Sequence, residues 1–434
     1  MRQFPHDTLW HATSPAEPDC APLKEDLRTD VAIIGAGFTG LSTAQRLAEK
    51  GVSVVVLEAG EIGAGASGRN AGFVVPHFSR ADPTKIRQAL PPHQAERLLA
   101  LVESGGDHVF DQAKGMGLGR HAEQSGWLQP AHTSQMAQTL EARARDWKNR
   151  GRPVRWISAA EIASQTGMDI YHGALSDSSG GVINPLAFVR GLARLAMTGG
   201  AQIYTGTAVN SVHHNGTENV LDTSQGYKVR ADRVIIATNS GIHGAAAGLG
   251  YTLLPLQVYQ IATEPLDAET VTRIAPGRIP VSDTRTNIFT YRLDAENRLI
   301  SGGMALLPIA AERRMAQRIA KRLALELRLS QVPTIEYVWR GTAAVTRDGL
   351  PSMVDLGPDI WGATGCNGRG VAFTNVLGSS LADWLLSGAN PDNAPLPIAA
   401  PVPLPFRGPG QLAPSAVLLR GMIRDWVDAR KDSR

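Results

Sequence analysis

The sequence is poor in the features that mark several protein classes. It holds two cysteines, Cys20 and Cys366, in 434 residues. Two thiols cannot build a disulfide framework or a four-thiolate zinc site. Their separation of 346 positions also leaves no CxxC pair for redox exchange. No run of about 18 apolar residues occurs, so no transmembrane helix is expected. The first residues, MRQFPHDTLW, lack the basic start and apolar run of a secretory signal, and a reducing cytoplasm is the expected location. Charge of one sign is missing too. The balance of 43 basic against 40 acidic side chains leaves +3, without the dense basic face of a nucleic-acid binder. The eleven histidines show no HxxxH or HExxH spacing, and no metal site is expected.

Glycine, by contrast, is abundant: 45 of 434 residues, above the ~7% average. At about 150 residues per domain the length suggests two to three domains. Apolar residues at 43% and charged residues at 19% supply a buried core and argue against disorder.

Residues 1–24 form a polar, proline-dotted arm. The run Val31-Ala32-Ile33-Ile34 suits a strand buried on both faces. Leu41, Ala44, Leu47 and Ala48 then share one helical face, and Gly51 supplies the stop. A second β-branched run over 52–57 completes a βαβ unit. Between strand and helix, Gly35-Ala36-Gly37-Phe38-Thr39-Gly40 matches GxGxxG in the context that motif requires. The first glycine permits a tight turn, the second lets a pyrophosphate approach the backbone, and the third lets the helix pack on the strand. Free N–H groups at the helix start hold the anion. Glu58 ends the second strand, 18 residues after Gly40, where a carboxylate accepts hydrogen bonds from an adenosine ribose and repels a 2′-phosphate. Further helices are predicted over 91–115, 134–151, 184–199, 309–329, 371–386 and 412–430, the last packing back onto the body. Alternating apolar and polar residues over 251–305 predict an antiparallel sheet.

NAD and FAD share this fingerprint. A disulfide reductase is excluded, because no cysteine pair is near in sequence and no second GxGxxG for NAD is evident. The loop that follows Glu58 and Ala59 is dominated by small residues and carries Arg69 and Asn70, as expected where backbone approaches a bulky flat ring. With this loop, the chain resembles the FAD-dependent amino-acid and amine oxidases, the family of D-amino-acid oxidase, glycine oxidase and sarcosine oxidase. The resemblance rests on residues 31–40, Leu57-Glu58-Ala59-Gly60, residues 65–72, residues 234–239 and residues 364–371. It spans about residues 25–390. Leu9-Trp10 with Pro15, residues 259–265, and Tyr291-Arg292-Leu293 ahead of Gly302-Gly303 point to a γ-glutamylputrescine-oxidase-like bacterial subgroup.

The resemblance implies an α/β fold: a Rossmann-type FAD-binding domain with a second, mostly antiparallel-sheet substrate domain. The expected FAD segments are 25–80, 155–240 and 335–390. Residues 81–154 and 241–334 form the substrate domain, and 391–434 a C-terminal connection and helix. Ser67, Arg69, Asn70, Ala71 and Gly72 would lie along the cofactor, Val209 by the adenine, and Thr238 and Asn239 by the pyrophosphate. Gly365, Asn367, Gly368, Arg369, Gly370 and Val371 would approach the flavin pyrimidine ring. A helix opening at that turn aims its positive end at the charge a reduced flavin carries.

Amine oxidation needs a neutral substrate nitrogen, an α-C–H facing flavin N5, and a grip on the charged end of the substrate. Arginine suits a carboxylate because it binds bidentately. Arg340 is the first candidate, Arg292 the second, and Tyr259 a wall or hydroxyl donor. No cysteine falls near Gly341, where sarcosine-oxidase relatives attach flavin covalently, so non-covalent FAD is expected. Those relatives also use a lysine to promote reaction with O2, and here its site falls near Ile300. Three readings stay open: an oxidase that reduces O2, a dehydrogenase of an amine or hydroxy acid that passes electrons to a carrier or quinone, and a flavoprotein subunit of a larger assembly.

Overall fold

The computed structural model describes residues 8–79, 81–241, 244–250, 252–306, 310–401 and 413–432. Among them, no helix is long and apolar enough to cross a membrane. Most of the chain divides between a nine-stranded and an eight-stranded sheet, with a small three-stranded sheet besides.

The first sheet grows from the strand Leu27–Ile34. It pairs in parallel with Val54–Leu57 on one side and Lys228–Ile236 on the other. Gln202–Tyr204 and Ile360–Thr364 extend the parallel run outward. Val54–Leu57 is buried along its whole length, as a parallel strand covered on both faces must be. One cover is the helix Phe38–Ala48, whose Leu41, Ala44, Leu47 and Ala48 are all buried. The helix Gly370–Leu386 lies against it so closely that a Cβ on Gly378 would overlap the Thr39 carbonyl and the Ser42 side chain. The α/β, Rossmann-type fold class inferred from the sequence is therefore what the chain forms.

The second sheet is antiparallel except where Val281–Ser282 runs parallel to Trp127–Pro130. Its long strands are Leu254–Pro265, Arg298–Met304 and Ile335–Val345. The basic helix Ala311–Glu326 covers one face, with Met315, Ile319 and Leu323 buried. Ile309, at the expected start of this helix, lies outside the described residues. Sheet membership divides the chain at other points than those expected. Residues 155–157 of the strand Val154–Ile157, with Ala174–Asp177 and Ile335–Val345, were expected in FAD segments but belong to the second sheet. Pairing partners distant in the chain decide such membership, and composition does not record them.

The arm is more ordered than its proline-dotted sequence suggested. Leu9–Thr13 is a short helix with Leu9 and Trp10 fully buried. A Thr8–His11 capping box closes its start. The Trp10 indole meets the Trp339 ring edge-on at 5.9 Å and lies 5.4 Å from the Arg292 guanidinium. At the other end, the helix Ala413–Asp432 docks through Asp425, which accepts from the Thr286 backbone N–H at 2.6 Å and its hydroxyl at 3.1 Å. Leu412, at the expected start of this helix, lies outside the described residues.

Trp10→Ala removes a fully buried indole that packs on Trp339 and donates to the Asn70 carbonyl. We expect a loss of about 3–5 kcal/mol of stability, measured as a lowered denaturant midpoint.

Candidate active site

A cavity of about 930 Å³ runs between the two sheets. It lies in the upper range for small-molecule pockets, roughly 300–1,000 Å³. The early glycine turn lines it through Gly35, Ala36, Gly37, Phe38 and Thr39, and the late turn through Gly365, Gly368, Arg369, Gly370 and Val371. More than three hundred positions separate these turns in the chain. The sheet topology joins them because Leu27–Ile34 and Ile360–Thr364 flank the same strand, Lys228–Ile236. Ser282, Ile288 and Thr290, together with Val258 and Gln260, add walls from the second sheet and its loops.

At the early turn, Gly35 has φ +108°, a backbone region that favours glycine. A Cβ on Gly40 would overlap the Gly35 carbonyl, so the third glycine of the motif serves helix packing and lies off the cavity wall. Gly37 caps the helix with no side chain, leaving its positive end open to the cavity. Ser67 accepts from the Phe38 N–H at 3.0 Å. The Glu58 carboxylate accepts from Ala36 N–H at 2.8 Å and Gly60 N–H at 2.9 Å, which pins it at the rim.

The loop after Glu58 folds into one helical turn, Ala66–Arg69. Consecutive carbonyls at its end are all taken. Trp339 Nε1 and Gln260 Nε2 donate to the Arg69 carbonyl at 3.0 and 3.2 Å. Trp10 Nε1 donates to that of Asn70 at 2.9 Å. Arg292 donates to those of Ala71 and Gly72, each at 3.1 Å, and to that of Ile183 at 2.7 Å. The Asn70 side chain is turned inward as well, onto the Ala66 and Ser67 carbonyls and the Gly72 N–H.

The remaining candidates fall into place accordingly. Ala59, Ser67, Arg69, Asn70, Ala71, Val209, Thr238 and Asn239 line the cavity. Gly72 does not; it belongs to the carbonyl clamp. Asn367 does not either; its side chain ties the Thr346 N–H to the Gly365 carbonyl. Arg292 is a correction. It is buried against backbone carbonyls, away from the cavity wall, and burial lowers its pKa to about 10. Tyr259 is another. It pairs with Gly303, which faces Met315 and Ile319 of the covering helix, so the tyrosine packs in the core on the far side of the sheet. Arg340 lines the cavity and is exposed, although it stands opposite Tyr259 on that same sheet face. Sequence reasoning missed Gln260, Ser282 and Thr290. Strand phase would have exposed Gln260, and nothing local marked the other two.

The model of the DAO family, FAD dependent oxidoreductase, matches residues 30–384. The chain belongs to this family of FAD-dependent oxidoreductases. It is 32% identical over 401 residues to γ-glutamylputrescine oxidoreductase of Escherichia coli strain K12, covering 89% of this chain and 92% of that one. It is 28% identical over 378 residues to glycine oxidase of Geobacillus kaustophilus strain HTA426, covering 82% and 92%. The structure of glycine oxidase from Geobacillus kaustophilus superposes with a TM-score of 0.69 at 21% identity, covering 83% of this chain and 95% of that one. At that identity the likeness shows the fold.

The family's cofactor fits what the walls offer. Thr238 Oγ1, Thr364 Oγ1 and Gln260 Oε1 are buried at the cavity with no hydrogen-bond partner among the described residues. Buried polar groups of this kind are satisfied by a ligand or water. The helix Gly370–Leu386 also opens onto the cavity without a side-chain cap.

Arg292→Met removes the donor to three buried carbonyls. We expect a loss of about 3–5 kcal/mol in chemical unfolding, because these buried carbonyls lose a charged donor and only that of Gly72 keeps another, the Ile183 N–H at 2.8 Å.

Proposed function

We propose that the protein oxidises the C–N bond of a small amine or N-substituted amino acid, with non-covalent FAD and with O2 as the final acceptor. The observation behind this reading is the meeting of two glycine turns, each opening a helix, on one cavity that also takes a wall from the second sheet. That arrangement gives a long cofactor two anion-favouring ends and leaves the second sheet to face the substrate. Relatives support the choice of an amine. They include the γ-glutamylputrescine oxidoreductase, and a structural neighbour is an iminodiacetate oxidase from Chelativorans sp. BNC1, matched at TM-score 0.66 and 18% identity over 86% of this chain and all of that one.

FAD supplies a two-electron acceptor when bound. The substrate amine loses two hydrogens and becomes an imine, and water hydrolyses the imine to a carbonyl compound and a released amine or ammonia. O2 takes the two electrons and two protons and leaves as H2O2. In this scheme Glu58 faces the ribose. The amides at the start of Phe38–Ala48 face the pyrophosphate, and those at the start of Gly370–Leu386 hold charge near the flavin ring. Gln260 and Thr290 border the substrate side. The sequence places no cysteine near Gly341, consistent with non-covalent attachment.

A dehydrogenase is the second reading. Among the described residues no lysine lines the cavity, and Ile300 is buried where relatives place one.

Three outcomes test these assignments. Acid precipitation should release the yellow pigment into the supernatant; pigment left on the pellet contradicts non-covalent binding. Glu58→Ala should weaken FAD retention about tenfold, equivalent to about 1.4 kcal/mol, measured by titrating the apoprotein. Turnover of an amine panel in air should yield one H2O2 per amine consumed, whereas turnover that needs an added electron acceptor points to the dehydrogenase.

A further inference from the structure

The loop 283–289 joins the antiparallel strands Val281–Ser282 and Thr290–Leu293. Ser282 and Thr290 pair across its base, and both line the large cavity together with Ile288 from within the loop. The set of this hairpin thus fixes three points of the wall that the second sheet supplies. Inside the loop, Asp283 accepts from the Arg285 and Phe289 N–H groups at 3.1 and 2.9 Å, so the turn carries a brace of its own.

The remaining ties come from outside the hairpin. The helix Ala311–Glu326 holds it through two side chains. Arg322 donates to the Asn287 and Ile288 carbonyls at 2.8 and 3.2 Å, and Glu326 accepts from Arg285 at 2.5 and 3.1 Å. His132 Nδ1 lies 2.7 Å from the Thr284 hydroxyl. Thr286, in the middle of the loop, is taken by the C-terminal helix Ala413–Asp432. Its backbone N–H and hydroxyl both donate to the Asp425 carboxylate, 139 positions later in the chain. Gly421, one turn before Asp425, lies so close that a Cβ there would come within 2.3 Å of the Thr286 methyl group. Leu418, Gly421 and Asp425 are three and four positions apart and share one helix face. Leu418 is buried.

A helix docked for burial alone would turn its apolar residues inward. This one leaves Leu419, Ile423 and Val427 exposed at 47%, 55% and 38% and directs a carboxylate at a loop. A charge-assisted hydrogen bond is short and directional, so it fixes a position more than it buries surface. We propose that Asp425 is a positioning residue. Through Thr286 it sets the hairpin whose Ser282, Ile288 and Thr290 bound the substrate side, and so limits the size of the amine that fits. Asp425 itself does not line the cavity. The proposal rests on the amine-oxidation reading, in which the second sheet faces the substrate.

The test uses the FAD-loaded full chain. Turnover of N-methylglycine and N-butylglycine is followed with O2 and with an artificial electron acceptor. The ratio of the two kcat/KM values does not depend on how much of a variant is folded. Asp425→Ala should move that ratio about fivefold or more toward the butyl compound, because a slackened wall separates the two less by size. Gly421→Ala displaces Thr286 with the carboxylate intact and should change the ratio about threefold or more. Asp425→Asn keeps an acceptor oxygen and should stay within about twofold of wild type. A wild-type ratio in Asp425→Ala overturns the proposal. If Asp425→Ala does not fold, Gly421→Ala decides in the same way. If wild type does not oxidise both compounds, access of acrylamide to the bound flavin decides. Quenching of flavin fluorescence should then rise in Asp425→Ala and match wild type in Asp425→Asn, and equal quenching in all three overturns the proposal. Failure of the amine-oxidation reading shows as absent turnover in wild type; failure of this proposal shows as a wild-type ratio or wild-type quenching in Asp425→Ala.

Discussion

Four successive carbonyls, residues 69 to 72, hold the two halves of the molecule in register. They accept from two indoles, one amide and one guanidinium, contributed by the N-terminal helix and by three strands of the second sheet. A loop of small residues has little side-chain surface to bury, so its conformation must come from its backbone groups. Here the donors come from outside the loop. The loop therefore stays fixed only while both sheets are in place, and the wall it gives the cavity depends on the same contacts. Neutral indole donors and the buried Arg292 make these bonds costly to break, because each acceptor would be left in a dry interior.

The cavity is electrostatically asymmetric. Two helix starts and Arg369 favour negative charge at several points along its length. Glu58 places a carboxylate at the rim, held there by two backbone N–H groups. Such a site acts mainly by orientation, with fixed donors that need no rearrangement during reaction.

Much of the first sheet was legible because its signals are local. The strand–turn–helix–strand unit, the acid at the end of its second strand and the late glycine turn each fit within a few dozen residues. What failed depends on phase or on distant partners. Arg292 carried the right chemistry for a carboxylate, but the carbonyls that claim it come from residues 71, 72 and 183. Tyr259 lies on the right strand but on the wrong face, and a one-residue difference in a pleated strand reverses the direction. Arg369 was placed with the cofactor because its neighbours are glycines of the late turn. It does line the cavity, and its side chain also lies over Trp127, more than two hundred positions earlier. The sheet boundaries shifted for the same reason: edge strands such as Val154–Ile157 join the sheet whose partner lies nearest in space.

The meeting of an early and a late turn on one cavity has a consequence for biosynthesis. While the ribosome is still adding residues before about 371, the emerging polypeptide lacks one side of its pigment pocket. The early turn can be in place by then, but the wall that the late turn gives the cavity is missing. Prosthetic-group capture is thus deferred until nearly the whole chain has been made, and the appearance of colour reports the end of assembly and not its beginning.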